Sequence, residues 1–155
     1  MSFCSPPSIL IIDDDKNVLL TLNNSLKEIG NVKFSLNAAE AFKMTKEETP
    51  DIILLDMQLP DGDGLDVCRK LKSDINTKHI PILFITSNVG FDFEEKVFGA
   101  GASDYIVKPL NPLGVASRVN THLNYRKAIV TLEKLSRTDV MTGISNRGCF
   151  DEQFD

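Results

Sequence analysis

The chain has 155 residues, is 42% hydrophobic and 25% charged, and carries a formal net charge of -5. That length suits about one domain with a short appendage, and an acidic chain without a long basic run argues against nucleic-acid and membrane-surface partners. The cysteines, Cys4, Cys68 and Cys149, are odd in number, far apart and free of any CxxC pair, which argues against a disulfide framework or a zinc site and suits a reduced, cytoplasmic protein.

In chain order, the start Met1–Pro7 has no basic region, and the apolar run that follows, Ile9–Ile12, is too short for a signal peptide or a membrane span. Ser8–Ile12 reads as a buried central strand, bounded by prolines before and aspartates after. Val18, Leu19, Leu22, Leu26 and Ile29 at helical spacing predict a helix over 15–29, stopped by Gly30. Alternation of Val32, Phe34 and Leu36 predicts a second strand over 31–36, and a helix follows over 38–48, ended by Pro50. Residues 51–56, DIILLD, form the most hydrophobic strand. Residues 58–64, rich in Pro, Asp and Gly, read as a loop, and helical spacing resumes over 65–71. Residues 80–85 are a fourth apolar strand, 93–100 a short helix and 103–107 a fifth strand. Pro112 then opens a helical stretch reaching about Arg137.

Alternating strands and helices imply right-handed crossovers and a parallel sheet covered on both faces, an α/β doubly wound fold. Ligands of such sheets sit beyond the carboxyl ends of the strands. Those ends deliver Asp13 and Asp14, Asp56, Thr86 and Lys108. Three carboxylates brought together repel one another unless a cation joins them, and Mg²⁺ (or Mn²⁺), which takes oxygen ligands, is the natural choice. Asp56 can then act as a carboxylate nucleophile on phosphorus. Lys108 offers a charge to one phosphate oxygen and Thr86 a hydroxyl to another. Each residue has a plainer reading by itself: a helix cap, a turn aspartate, a β-branched strand residue, a solvated loop lysine. Asp15 is read as such a cap. It is the combination, each member at a strand end, that points to a phosphate-accepting site.

The stretches ILIIDDD (9–15), LLDMQLPDGDG (54–64), ITS (85–87) and YIVKP (105–109) together resemble the receiver domain of two-component response regulators, over about residues 8–125. The resemblance implies a flavodoxin-like, five-stranded (βα)5 sheet with an extended C-terminal helix, here with a receiver domain over 1–125. It implies Mg²⁺-dependent phosphorylation of Asp56 by a sensor histidine kinase or phosphotransfer protein. The metal ligands would be Asp13, Asp14, Asp56 and the backbone carbonyl of Gln58, where relatives more often have Asn. Pro60 and Gly64 match the family's loop pattern, and Ser87 a position kept small. Thr86 and Tyr105 would be the switch pair, Tyr105 rotating inward as Thr86 moves toward the phosphate. Taken by itself, Tyr105 is an ordinary half-buried strand aromatic.

Residues 126–138 are read as a helical linker. Tyr125, Ala128, Leu132 and Leu135 fit a coiled-coil stripe that is poor upstream, at Arg118 and Thr121, so a homodimer through this helix and a single amphipathic linker both stand. TDVMTGISNRGCF (138–150) resembles the opening of a GGDEF diguanylate cyclase domain, matching at Asp139, Thr142, Gly143, Asn146, Arg147 and Phe150. By that resemblance Asn146 and Asp155 contact guanine, and residues 139–155 are a truncated start of the domain. The sequence stops before any GGDEF signature, so it reads as a piece of a longer protein and is not expected to make cyclic di-GMP. As given, it is expected to do no enzymatic work beyond its own phosphorylation and dephosphorylation. Two other readings are an aspartyl-phosphate phosphatase of similar topology, whose DxDx(T/V) pattern the first strand lacks, and a degenerate receiver that only binds, which the presence of Asp56, Thr86 and Lys108 disfavours.

Overall fold

The computed structural model describes residues 6–87 and 89–137. Five parallel strands form the main sheet: β1 (Ser8–Ile12), β2 (Asn31–Ser35), β3 (Ile52–Asp56), β6 (Ile82–Thr86) and β7 (Asp104–Val107). Two further strands, β4 (Gln58–Leu59) and β5 (Gly62–Asp63), pair antiparallel in a small hairpin. The helices are α1 (Lys16–Leu26), α2 (Ala38–Glu47), α3 (Gly64–Ser73), α4 (Phe93–Gly99) and α5 (Pro112–Arg137). The main sheet runs β2-β1-β3-β6-β7, so the winding reverses between β1 and β3, the switch point of a doubly wound sheet.

Successive strand residues point to opposite faces, and the core divides accordingly. Leu10, Ile12, Ile53, Leu55, Ile82 and Phe84 pack under α2, α3 and α4. Ile9, Ile11, Ile52, Leu54, Leu83 and Ile85 pack under α1 and α5, against Leu22, Leu26, Val115 and Val119. A strand buried on both faces must be apolar throughout, which is why these runs do not alternate in polarity.

Three elements differ from the sequence expectation. The 58–64 segment is a hairpin, because Gln58 pairs with Asp63 and Leu59 with Gly62 around Pro60 and Asp61. Helix α1 ends at Leu26, short of Ile29, where the N–H groups of Ile29 and Gly30 turn back onto the Leu26 carbonyl. Gly30 is needed there by close approach: a Cβ would lie 2.2 Å from the Pro7 carbonyl oxygen. Ile80 is buried but precedes β6, its N–H bonded to Thr77 in a turn. Helix α5 spans 26 residues as anticipated, about 39 Å at the ordinary helical rise. Its first turn is capped by Asn111, which accepts the Leu113 N–H at 3.0 Å. Asn146, Asp155 and the GGDEF-like stretch lie outside the described residues.

Candidate metal and phosphate site

Register brings the acidic residues together. Ile12 of β1 lies beside Leu55 of β3, so the next residues, Asp13 and Asp56, fall side by side at the carboxyl edge. Carboxylate oxygens of Asp13, Asp14 and Asp56 lie within 4.8 Å of one another. Asp13 is buried, Asp14 exposed and Asp56 between them. Asp15 stands apart: it caps α1, accepting the Asn17 N–H at 2.9 Å.

One oxygen of Asp13 accepts the Asp15 N–H at 2.8 Å. The other, Oδ2, is buried and has no hydrogen-bond partner among the described residues. A buried carboxylate oxygen left unpaired is costly. Burial foremost pushes the Asp13 carboxyl up to about 6, with Asp56 and Asp14 adding repulsion, while the Asp15 N–H and the Lys108 charge pull the other way. Asp56 is raised for the same leading reason. Lys108 and the N–H groups of Gln58 and Met57 oppose that shift. An orphaned buried oxygen in a three-carboxylate cluster fits a hard divalent cation such as Mg²⁺ or Mn²⁺.

The other predicted residues line the same edge. Thr86 ends β6 and is buried. Its carbonyl accepts the Lys108 N–H at 2.8 Å, which seats Lys108 just past β7. The Lys108–Pro109 peptide bond is cis. Ser87 follows in an exposed bend, and Gln58 opens the hairpin with its side chain in solvent. Gly64 is demanded by packing: a Cβ there would lie 2.2 Å from the Asp56 carbonyl oxygen and 3.0 Å from the Met57 Cα. The N-terminus of α3 therefore rests directly on the backbone of the candidate acceptor.

Tyr105 sits on the α4 side of β7. Its ring meets Phe93 edge-on at 5.0 Å and lies 6.2 Å from Phe98. Its hydroxyl donates to Glu94 Oε1 at 2.8 Å. Beside it, Asp104 accepts from Arg118 of α5 at 2.9 Å and stands 3.2 Å from His122. Sequence reasoning missed Glu94, Asp104 and Asp61. None carries a motif, and their partners lie on other elements, although the Pro-Asp-Gly turn signal at 60–62 marks where Asp61 would be displayed.

Residues 9–120 match the family model described as the response regulator receiver domain. The chain is 34% identical over 137 residues to response regulator PleD of Caulobacter vibrioides, covering 88% of this chain and 30% of PleD. It is 30% identical over 128 residues to a Vibrio cholerae protein named "Probable cyclic di-GMP phosphodiesterase", covering 83% of this chain and 29% of that protein. The chain thus spans about a third of the length of either. Among solved structures, a CheY-like receiver domain protein from Methanospirillum hungatei superposes with a TM-score of 0.74 at 26% identity, over 80% of this chain and 98% of that one.

Proposed function

Because the chain belongs to the response regulator receiver domain family, whose members take a phosphoryl group from histidine kinases onto an aspartate, we propose that Asp56 is the acceptor here. The observation that carries this reading is the Asp13, Asp14 and Asp56 cluster, with an Asp13 oxygen that nothing else among the described residues satisfies. An Asp56 carboxylate oxygen attacks phosphorus, the bond from phosphorus to the donor histidine nitrogen breaks, and an acyl phosphate remains on Asp56. Mg²⁺ bound by Asp13, Asp14, Asp56 and the Gln58 carbonyl would neutralise charge on the transferring group. Lys108 meets one phosphate oxygen and Thr86 another, and Thr86's movement frees Tyr105 to swing from α4, a local charge event biasing a packed surface.

The decisive measurement is a labile adduct formed with acetyl phosphate and Mg²⁺, or a beryllofluoride-dependent spectral change. Both are expected in the wild-type chain and lost in Asp56→Asn. An adduct that persists in that variant sinks the assignment, and turnover of many small phosphate esters would favour a phosphatase instead.

The output is read as an attached diguanylate cyclase. Support for a cyclase comes from the GGDEF-like residues 138–150; the likeness to a protein named as a probable cyclic di-GMP phosphodiesterase supports only the link to that second messenger. The exposed side chains of Tyr125 and Leu132 on α5 support a homodimer through that helix. The receiver itself is a switch, without turnover beyond its own phosphorylation and dephosphorylation. We place the protein in the cytoplasm on its membership of the receiver family; separately, among the described residues no helix is long and apolar enough to cross a membrane.

A further inference from the structure

The hairpin after β3 is held from three sides. The Gly64 N–H closes it onto the Met57 carbonyl at 2.8 Å. Asp63 caps α3 through the Leu65 N–H at 2.9 Å. Asp61, at the tip, reaches away from both: its two oxygens accept the N–H groups of Ala38 and Ala39 at the start of α2, at 2.8 and 3.0 Å. Helix-opening N–H groups lack intrahelical partners, and the helix dipole favours an anion there. The two N–H bonds hold the Asp61 carboxyl below its ordinary range, so it is charged at neutral pH.

The other caps of α2 are local and leave these two N–H groups to Asp61: Asn37 accepts the Glu40 N–H at 2.8 Å and Glu40 the Leu36 N–H at 3.0 Å. Asp61 instead joins residues 22 and 23 positions apart. The same stretch of chain also holds Asp13. The Ser35 carbonyl accepts the Asp13 N–H at 3.0 Å, and the buried Ser35 hydroxyl donates to the Asn37 carbonyl at 2.7 Å. The start of α2 is therefore fastened on one side to the strand end bearing Asp13, and on the other to the loop that begins beside Asp56.

We propose that Asp61 is a positioning residue for phosphoryl acceptance: by pinning the hairpin tip to α2 it fixes Met57 and Gln58 relative to Asp13 and Asp14, and so sets the affinity of the three-carboxylate site for its divalent cation. It acts through the backbone it holds. The inference rests on the reading of Asp56 as phosphoacceptor.

The test is the Mg²⁺ dissociation constant of the whole chain, by isothermal titration calorimetry, in wild type, Asp61→Ala, Asp61→Asn and Asn37→Ala. Asp61→Ala is expected to weaken Mg²⁺ about three- to tenfold, at or below the ~10–100-fold typical of direct outer-shell partners. Asp61→Asn, uncharged and able to accept only one of the two bonds, falls between. Asn37→Ala removes a cap from the same helix and lowers its melting temperature, but spares the link, so its Mg²⁺ affinity stays at wild type. Adduct formation from acetyl phosphate slows in Asp61→Ala at limiting Mg²⁺ and recovers at saturation. Wild-type affinity in Asp61→Ala, or equal weakening in Asn37→Ala, overturns the positioning role alone. A wild-type chain that neither binds Mg²⁺ nor takes up phosphate overturns the phosphoacceptor reading and the positioning role together.

Discussion

The Asp13 carboxyl, pushed up to about 6 chiefly by burial, against a model-peptide value of 3.8, gives the metal-free protein a pH dependence. Its folded state holds a proton that the unfolded chain releases. That contribution to stability is fully present below the unfolded value and is lost as the pH rises through about 6. In EDTA, the unfolding free energy from denaturant titrations should fall between roughly pH 4 and 6, by an amount on the order of 2 kcal/mol, and Asp13→Asn should flatten that fall. Mg²⁺ must displace the same proton, so its affinity should drop on acidification across this window. Tyr105 offers a second residue-scale reading. The hydrogen bond to Glu94 is the first cause raising its hydroxyl pKa. Glu94→Gln should bring that titration down, as followed by phenolate absorbance, and leave the ring less firmly held on α4.

At the scale of elements, the hairpin shows what the sequence could and could not disclose. The strand ends were legible because burial on both faces forces unbroken apolar runs, and the polar residue after each run marks the edge: Asp13, Asp56 and Thr86 were found that way. Asp15 as a cap was legible from position alone. The two-residue ladder was not, since hydrophobic periodicity needs more than Gln58 and Leu59 to register. Asp61's hold on α2 is also hidden, because no local pattern links a turn to a helix start 23 residues earlier. Gly64 matches the family's loop pattern in the sequence, but its reason is steric and visible only in three dimensions. Gly64→Ala should cost roughly 1–3 kcal/mol, as overpacked sites do, and should slow adduct formation as well, because the clash is with the Asp56 carbonyl. Wild-type stability together with a wild-type rate would show that α3 can step back freely.

For the whole molecule, α5 is at once a wall of the core and the route outward. Val115 and Val119 are buried against the sheet, and Arg118 ties to Asp104. Arg126 donates to the His79 carbonyl at 2.9 Å. Beyond that anchor, Ile129 and Leu132 face solvent. Light scattering across a concentration series, with and without beryllofluoride, should show a dimer that Leu132→Glu weakens. Monomer throughout would leave α5 a single-chain linker.

The length of α5 adds a consequence of phase. A continuous helix transmits rotation as a shaft does, so whatever continues from its far end is oriented by residue count as well as by contacts. One added residue turns that continuation by about 100°, whereas seven bring it back to within ~20° of where it began. If the proposed output domain is attached to α5, its angular setting would be written into the number of residues after Arg126, and a small twist at Asp104 would be read at that setting.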